Sequence, residues 1–107
     1  MSTTGNSQLM NSELELQIDA LMSKMTLAQK IGQMVQTERM AIEPEQVKTY
    51  HIGSVLSGGG SCPGDNLVAD WVDMNDAYWA ASMEEDEEHL AIPIIYCIDV
   101  VHGNNNI

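Results

Sequence analysis

At 107 residues the chain is long enough for one small domain, and its 44% hydrophobic content is that of a globular protein, with eight Met and no Phe. Sixteen acids against four bases give a net charge of −12; such a surface repels phosphate backbones and argues against a nucleic-acid partner. No stretch approaches the roughly 20 apolar residues of a membrane span. The opening MSTTGNSQLMNSELELQ shows neither the basic nor the apolar region of a secretory signal, which leaves the compartment open.

Residues 1–12 are polar and unpatterned, and are expected to be disordered. From Leu14 apolar residues recur at Ile18, Leu21 and Met22, the spacing of one helical face that ends near Lys24 and Met25. Thr26-Leu27-Ala28-Gln29 is a capping box, in which Gln29 reaches back to the Thr26 amide. The second helix carries Leu27, Ile31, Met34 and Val35 at the same spacing. Two tandem amphipathic helices fit a hairpin or a clamp on a larger body, and periodicity does not choose between them. Pro44 suits the first turn of a third helix over residues 44–50.

Residues 52–57, IGSVLS, read as a brief strand broken by Gly58, Gly59 and Gly60. Glycines straight after a strand permit a tight turn or close backbone approach to a ligand. The triplet lacks the spacing and the Lys of a phosphate loop, and a dinucleotide site wants GxGxxG here. Pro63-Gly64-Asp65 turns the chain into its longest helix, 67–82. There Leu67, Trp71, Met74 and Tyr78 form a stripe suited to core packing.

Five acids, Glu84 to Glu88, follow that helix. They lack the Gly and the spaced oxygens of a calcium loop, so a solvated loop is expected. Cys62 and Cys97 make no disulfide framework, and His51, His89 and His102 match no metal motif, so neither metal nor cofactor is expected.

The closing stretch, PIIYCIDVVHGNNNI from Pro93, organises the rest. An apolar strand over residues 94–98 runs directly into Asp99 and a polar loop holding His102 and Gly103. A buried strand whose carboxyl end bursts into polar groups is the pattern of an α/β protein that meets its ligand there. The element order is thus a helical preface followed by one βαβ unit.

Three stretches in this order, MTLAQKIGQMVQ, IGSVLSGGGSCPG and IPIIYCIDVVHGNNN, resemble the opening of family 3 of the glycoside hydrolases, from about Leu14 onward. The resemblance is closest to its exo-acting β-glucosidases and glucan glucohydrolases. It implies an enzyme of β-glucosidase type, with residues 13–107 as the N-terminal fragment of a (β/α)8 TIM-type barrel that a second α/β domain follows. It also implies removal of terminal glucose from β-glucosides or β-glucans with retention, by an Asp nucleophile and a Glu acid/base.

In the family's IDAVHG pattern the Asp binds hydroxyls of the terminal sugar; here it is Asp99, in Ile98-Asp99-Val100-Val101-His102-Gly103. A carboxylate at a strand end accepts two sugar O–H groups at once, as strong charge-assisted bonds. Gly58, Gly59, Gly60, His102 and Gly103 are expected to shape the site loops. Cys97, Val100 and Asn104 stand where the family usually has Gly, Ala and His or Gln. A barrel takes ~250 residues, and neither the nucleophile nor the acid/base has a matching position here. The expected partners are therefore a carbohydrate and the remainder of the barrel and second domain. Family members are often periplasmic or secreted. The rival reading is a free-standing acidic carbohydrate-binding or interaction module without chemistry.

Overall fold

The computed structural model describes residues 4–101 together with 103, 104 and 106, and side chains from residue 11 onward. The elements run α1 (Thr4–Lys24), α2 (Leu27–Gln33), β1 (Gln36–Glu38), a 3-10 turn (Arg39–Ala41), α3 (Pro44–Tyr50), β2 (Ser54–Ser57), α4 (Val68–Met83) and β3 (Ile95–Ile98). The three strands form one parallel sheet in the order β1-β2-β3. Register sets Thr37 beside Val55 and Val55 beside Tyr96, with Leu56 beside Cys97. The class is α/β, as the sequence implies.

Two expectations need correction. The helical preface and single βαβ unit become two such units, β1-α3-β2 and β2-α4-β3, because Gln36–Glu38 is a strand. Three residues reading Gln-Thr-Glu have no β-branched run or apolar alternation, and only pairing with β2 reveals them. The first helix also begins at Thr4 rather than near Leu14. Residues 4–12 hold no Pro, and Gln8, Leu9 and Met10 are good helix formers.

Local signals explain most of the elements. The Thr26 hydroxyl accepts from the Gln29 amide at 3.2 Å while Gln29 Oε1 accepts from the Thr26 amide at 2.9 Å. Gln29 is itself buried and donates from Nε2 to the Glu88 carbonyl at 2.7 Å, tying α2 to the acidic loop. α3 starts on Pro44 and stops at His51, which takes a left-handed φ of 57°. α4 starts where the Asp70 carboxylate accepts from the amides of Asp65 and Leu67, both at 3.0 Å.

The core, Ile42, Val47, Ile52, Val55, Tyr78 and Ala81, lies between α3, α4 and one sheet face, with Met74, Ile94 and Tyr96 against it. Burying a side chain the size of Val47 or Val55 contributes about 1.5–3 kcal/mol. Of the expected α4 stripe, Tyr78 is buried, Met74 packs on the core and Trp71 meets Tyr96 edge-on at 6.5 Å. Leu67 instead caps the helix, 59% exposed. The stripes of α1 and α2 face outward, with Leu14, Ile18, Leu27, Ile31 and Met34 exposed. No helix among the described residues is long and apolar enough to cross a membrane.

Candidate functional site at the strand carboxyl ends

Parallel pairing brings three loops to one end of the sheet: the turn after β1, the glycine loop after β2, and the loop opened by Asp99 after β3. The glycine loop is a tight turn in which the Ser61 amide donates to the Gly58 carbonyl at 3.0 Å. Gly60 supplies the positive φ of 81° that such a turn needs at its third residue. Gly58 is half-buried, while Gly59 and Gly60 are exposed.

Two neighbours that the sequence reading passes over hold this loop. Arg39 Nε lies 3.0 Å from both the Ser61 carbonyl and its hydroxyl, and Nη2 donates to the Cys62 carbonyl at 2.6 Å. Beside it the Glu38 carboxylate accepts from the amides of Met40 at 2.6 Å and Gly58 at 3.4 Å. Desolvation raises the Glu38 pKa, but bonds from the Ser61 hydroxyl and the Met40 and Gly58 amides, with the Arg39 charge, outweigh it and hold it below the ordinary carboxylate value. The Tyr78 hydroxyl, whose pKa burial pushes up, reaches the carbonyls of Arg39 at 3.0 Å and Ile42 at 2.8 Å from beneath. A signal was there to find: Arg39 is the only Arg in a chain of sixteen acids.

Asn66 braces the other side. With a positive φ of 63°, it donates from Nδ2 to the Asn106 carbonyl at 2.7 Å and accepts from the Trp71 indole at 2.8 Å. Gly103 takes a φ of 101°, and its amide donates to the Val100 carbonyl at 3.2 Å. His102 lies outside the described residues. Residues 58–66 thus join the loops after β1 and β3.

Asp99 follows β3 without a break, since its amide donates to the Ser57 carbonyl at 2.9 Å and continues the ladder. Tyr96 packs on the helix-covered core and its hydroxyl bonds that of buried Ser57. Alternation then assigns Ile95, Cys97 and Asp99 to the opposite, open face. Asp99 is exposed there, and no hydrogen bond to its carboxylate occurs among the described residues. Cys97 is a free, half-buried thiol two residues before it. A cleft of about 560 Å³ lined by Asn66, Trp71, Val72, Ile98 and Asn106 lies on the helix side and does not include Asp99.

Residues 26–107 match the model of the glycosyl hydrolase family 3 N-terminal domain. The chain belongs to glycoside hydrolase family 3.

Within the family it is 34% identical to a lysosomal β-glucosidase of Dictyostelium discoideum, over 82% of this chain and 12% of that one. Its fold resembles a crystal structure of the exo-1,3/1,4-β-glucanase ExoP from a Pseudoalteromonas species with a TM-score of 0.75, 35% identity, and coverage of 89% of this chain and 12% of that one. The Q683A mutant of ExoP gives the same TM-score at 34% identity, covering 16% of its chain. This family 3 chain therefore spans less than a fifth of the length of each of these relatives.

The chemistry available at the strand ends is that of an acceptor. Asp99 presents two unengaged oxygens to hydroxyl donors, while the Glu38 carboxylate is committed to the loop. A retaining glycosidase needs two carboxyl groups about 5–5.5 Å apart across the scissile bond, and Glu38, bonded to the Met40 and Gly58 amides, is not free to make such a pair with Asp99.

Proposed function

We propose that residues 13–107 form the opening part of a (β/α)8-type barrel in a retaining glycoside hydrolase. The enzyme removes terminal glucose from β-glucosides or β-glucans, and Asp99 holds hydroxyls of the sugar being released. The observation that carries this reading is the placement of Asp99. It continues a parallel ladder at the carboxyl end of β3, on the face away from the helices, which is where ligands bind in barrels of this class. The names of the family 3 relatives, a β-glucosidase and an exo-1,3/1,4-β-glucanase, supply the substrate class.

In this reading Asp99 binds and orients, and the covalent chemistry is done by carboxylates outside residues 1–107. A carboxylate that accepts two hydroxyls as charge-assisted bonds fixes the ring's rotation in the site. The glycine loop, held by Arg39 and Glu38, supplies an adjoining wall without side chains. A 2-fluoro-glucoside traps the glycosyl-enzyme intermediate of a retaining enzyme on its nucleophile. In a family 3 enzyme carrying this segment, peptide mapping should locate the trapped sugar outside residues 1–107. A label on Asp99 would mean that Asp99 is the nucleophile and that its binding role is misassigned.

A further inference from the structure

Titratable side chains gather at a second place, the amino ends of the strands. His51 ends α3 just before β2, and the acidic loop of residues 84–89 follows α4 and lies against it. The His51 and His89 rings stack with centroids 5.3 Å apart and planes 16° apart. His89 is only 5% exposed, and its Nδ1 lies 2.7 Å from the Glu84 carbonyl. A carbonyl only accepts, so this nitrogen carries a proton. His51 Nδ1 is buried and has no hydrogen-bond partner among the described residues.

The remaining ties between the loop and α3 are weak ones, while buried Gln29 of α2 holds the Glu88 carbonyl at 2.7 Å. Lys48 Nζ pairs with Glu84 at 2.9 Å and Asp86 at 2.8 Å, but these carboxylates are 63% and 46% exposed. Ion pairs this wet add little. Within the loop, Asp86 Oδ1 accepts from the amides of Glu88 and His89 at 2.8 and 2.9 Å, and the Asp86 amide donates to the His89 carbonyl at 3.0 Å. Glu45, Lys48, Glu84, Asp86 and Glu88 border the cleft of about 620 Å³ that opens beside the stack.

We propose that the His51–His89 stack is an acid-released latch, which holds the 84–89 loop on the end of α3 at neutral pH and lets go when His51 takes up a proton. An imidazolium needs acceptors for both ring N–H groups, and in the closed arrangement the buried Nδ1 has none. Charges compete around the ring. The carbonyls ending α3, with Asp86 and Glu88, favour the cation, whereas Lys48 and a protonated His89 oppose it. Burial is the largest influence and, with His89, outweighs the two carboxylates, so the His51 pKa lies below its ordinary value. A histidine depressed in this way adds stability that is complete above the unfolded value of about 6.5 and is lost as pH falls through the folded value.

The test is amide hydrogen exchange of the 107-residue chain, corrected for intrinsic rates, at about pH 7.5 and about pH 5. Protection of the Asp86, Glu88 and His89 amides should fall about threefold or more between the two. In His51→Asn, whose side chain suits the left-handed φ, protection should be equal at the two pH values. Lys48→Met should keep the pH response. An unchanged fall in His51→Asn, or no fall in the unsubstituted chain, overturns the latch. Ring titration of His51 by NMR in the unsubstituted chain decides even if the variant misfolds: a midpoint at or above the ordinary histidine value overturns it too.

Discussion

Replacing Arg39 with Met tests the idea that the turn after β1 sets the glycine loop of the site. The substitution keeps an apolar stem of similar length and removes the contacts to Ser61 and Cys62. A bond from a charged donor contributes about 1.5–3 kcal/mol. The Nε contact is shared between two oxygens and counts once, and water can reach the half-buried Cys62 though not the buried Ser61, so the net loss should be about 2 kcal/mol. In urea, with a slope of about 2 kcal/mol per M, the midpoint should drop by roughly 1 M. Exchange of the Ser61 amide, which closes the Gly58–Ser61 turn, should rise beyond the global change. Arg39→Lys should recover little, because an ammonium cannot supply the fork that meets Ser61 and Cys62 together. An unchanged midpoint in Arg39→Met, or full recovery by Lys, would mean that the Arg39 fork does not hold the glycine loop.

Other substitutions probe separate links. Tyr78→Phe leaves the Arg39 and Ile42 carbonyls without their hydroxyl donor and should cost about 1–2 kcal/mol in urea unfolding. Gly32→Ala would drive a Cβ into the carbonyl oxygens of Tyr50 and His51, so a loss of about 2 kcal/mol or more is expected by thermal melt, against near neutrality if α2 can shift. Asp86, held to a pKa of about 2 by the Lys48 bond first and the Glu88 amide next, is depressed below its unfolded value. Its contribution, small because solvent screens the pair, is therefore present above about pH 3.9 and lost as pH falls toward 2, and carboxyl NMR titration should give a midpoint below that of a free Asp.

The parts of the fold written in local code were legible in the sequence. Thr26 and Gln29 announce the start of α2, Pro44 that of α3, and the glycines the end of β2, because each acts through its own neighbours. The apolar run of β3 and its exit into Asp99 were visible for the same reason. β1 was not, since Gln36–Glu38 becomes a strand only by pairing with Ser54–Leu56. The braces at the site were hidden likewise: Arg39 meets residues 22 and 23 positions away, and Asn66 meets one 40 away. Leu67 fitted a helical stripe by spacing, but sits at the helix start, where its side chain precedes the packed face. The outward stripes of α1 and α2 follow a sound period, which says that a face is apolar without saying what covers it.

Steady-state kinetics register whether Asp99 holds the terminal sugar. In a family 3 enzyme carrying this segment, Asp99→Ala should lower kcat/KM on an aryl β-glucoside at least about tenfold, the equivalent of losing one charge-assisted hydrogen bond of roughly 1.5–3 kcal/mol. Unchanged kcat/KM in a variant with an unchanged melting temperature would remove Asp99 from the sugar site.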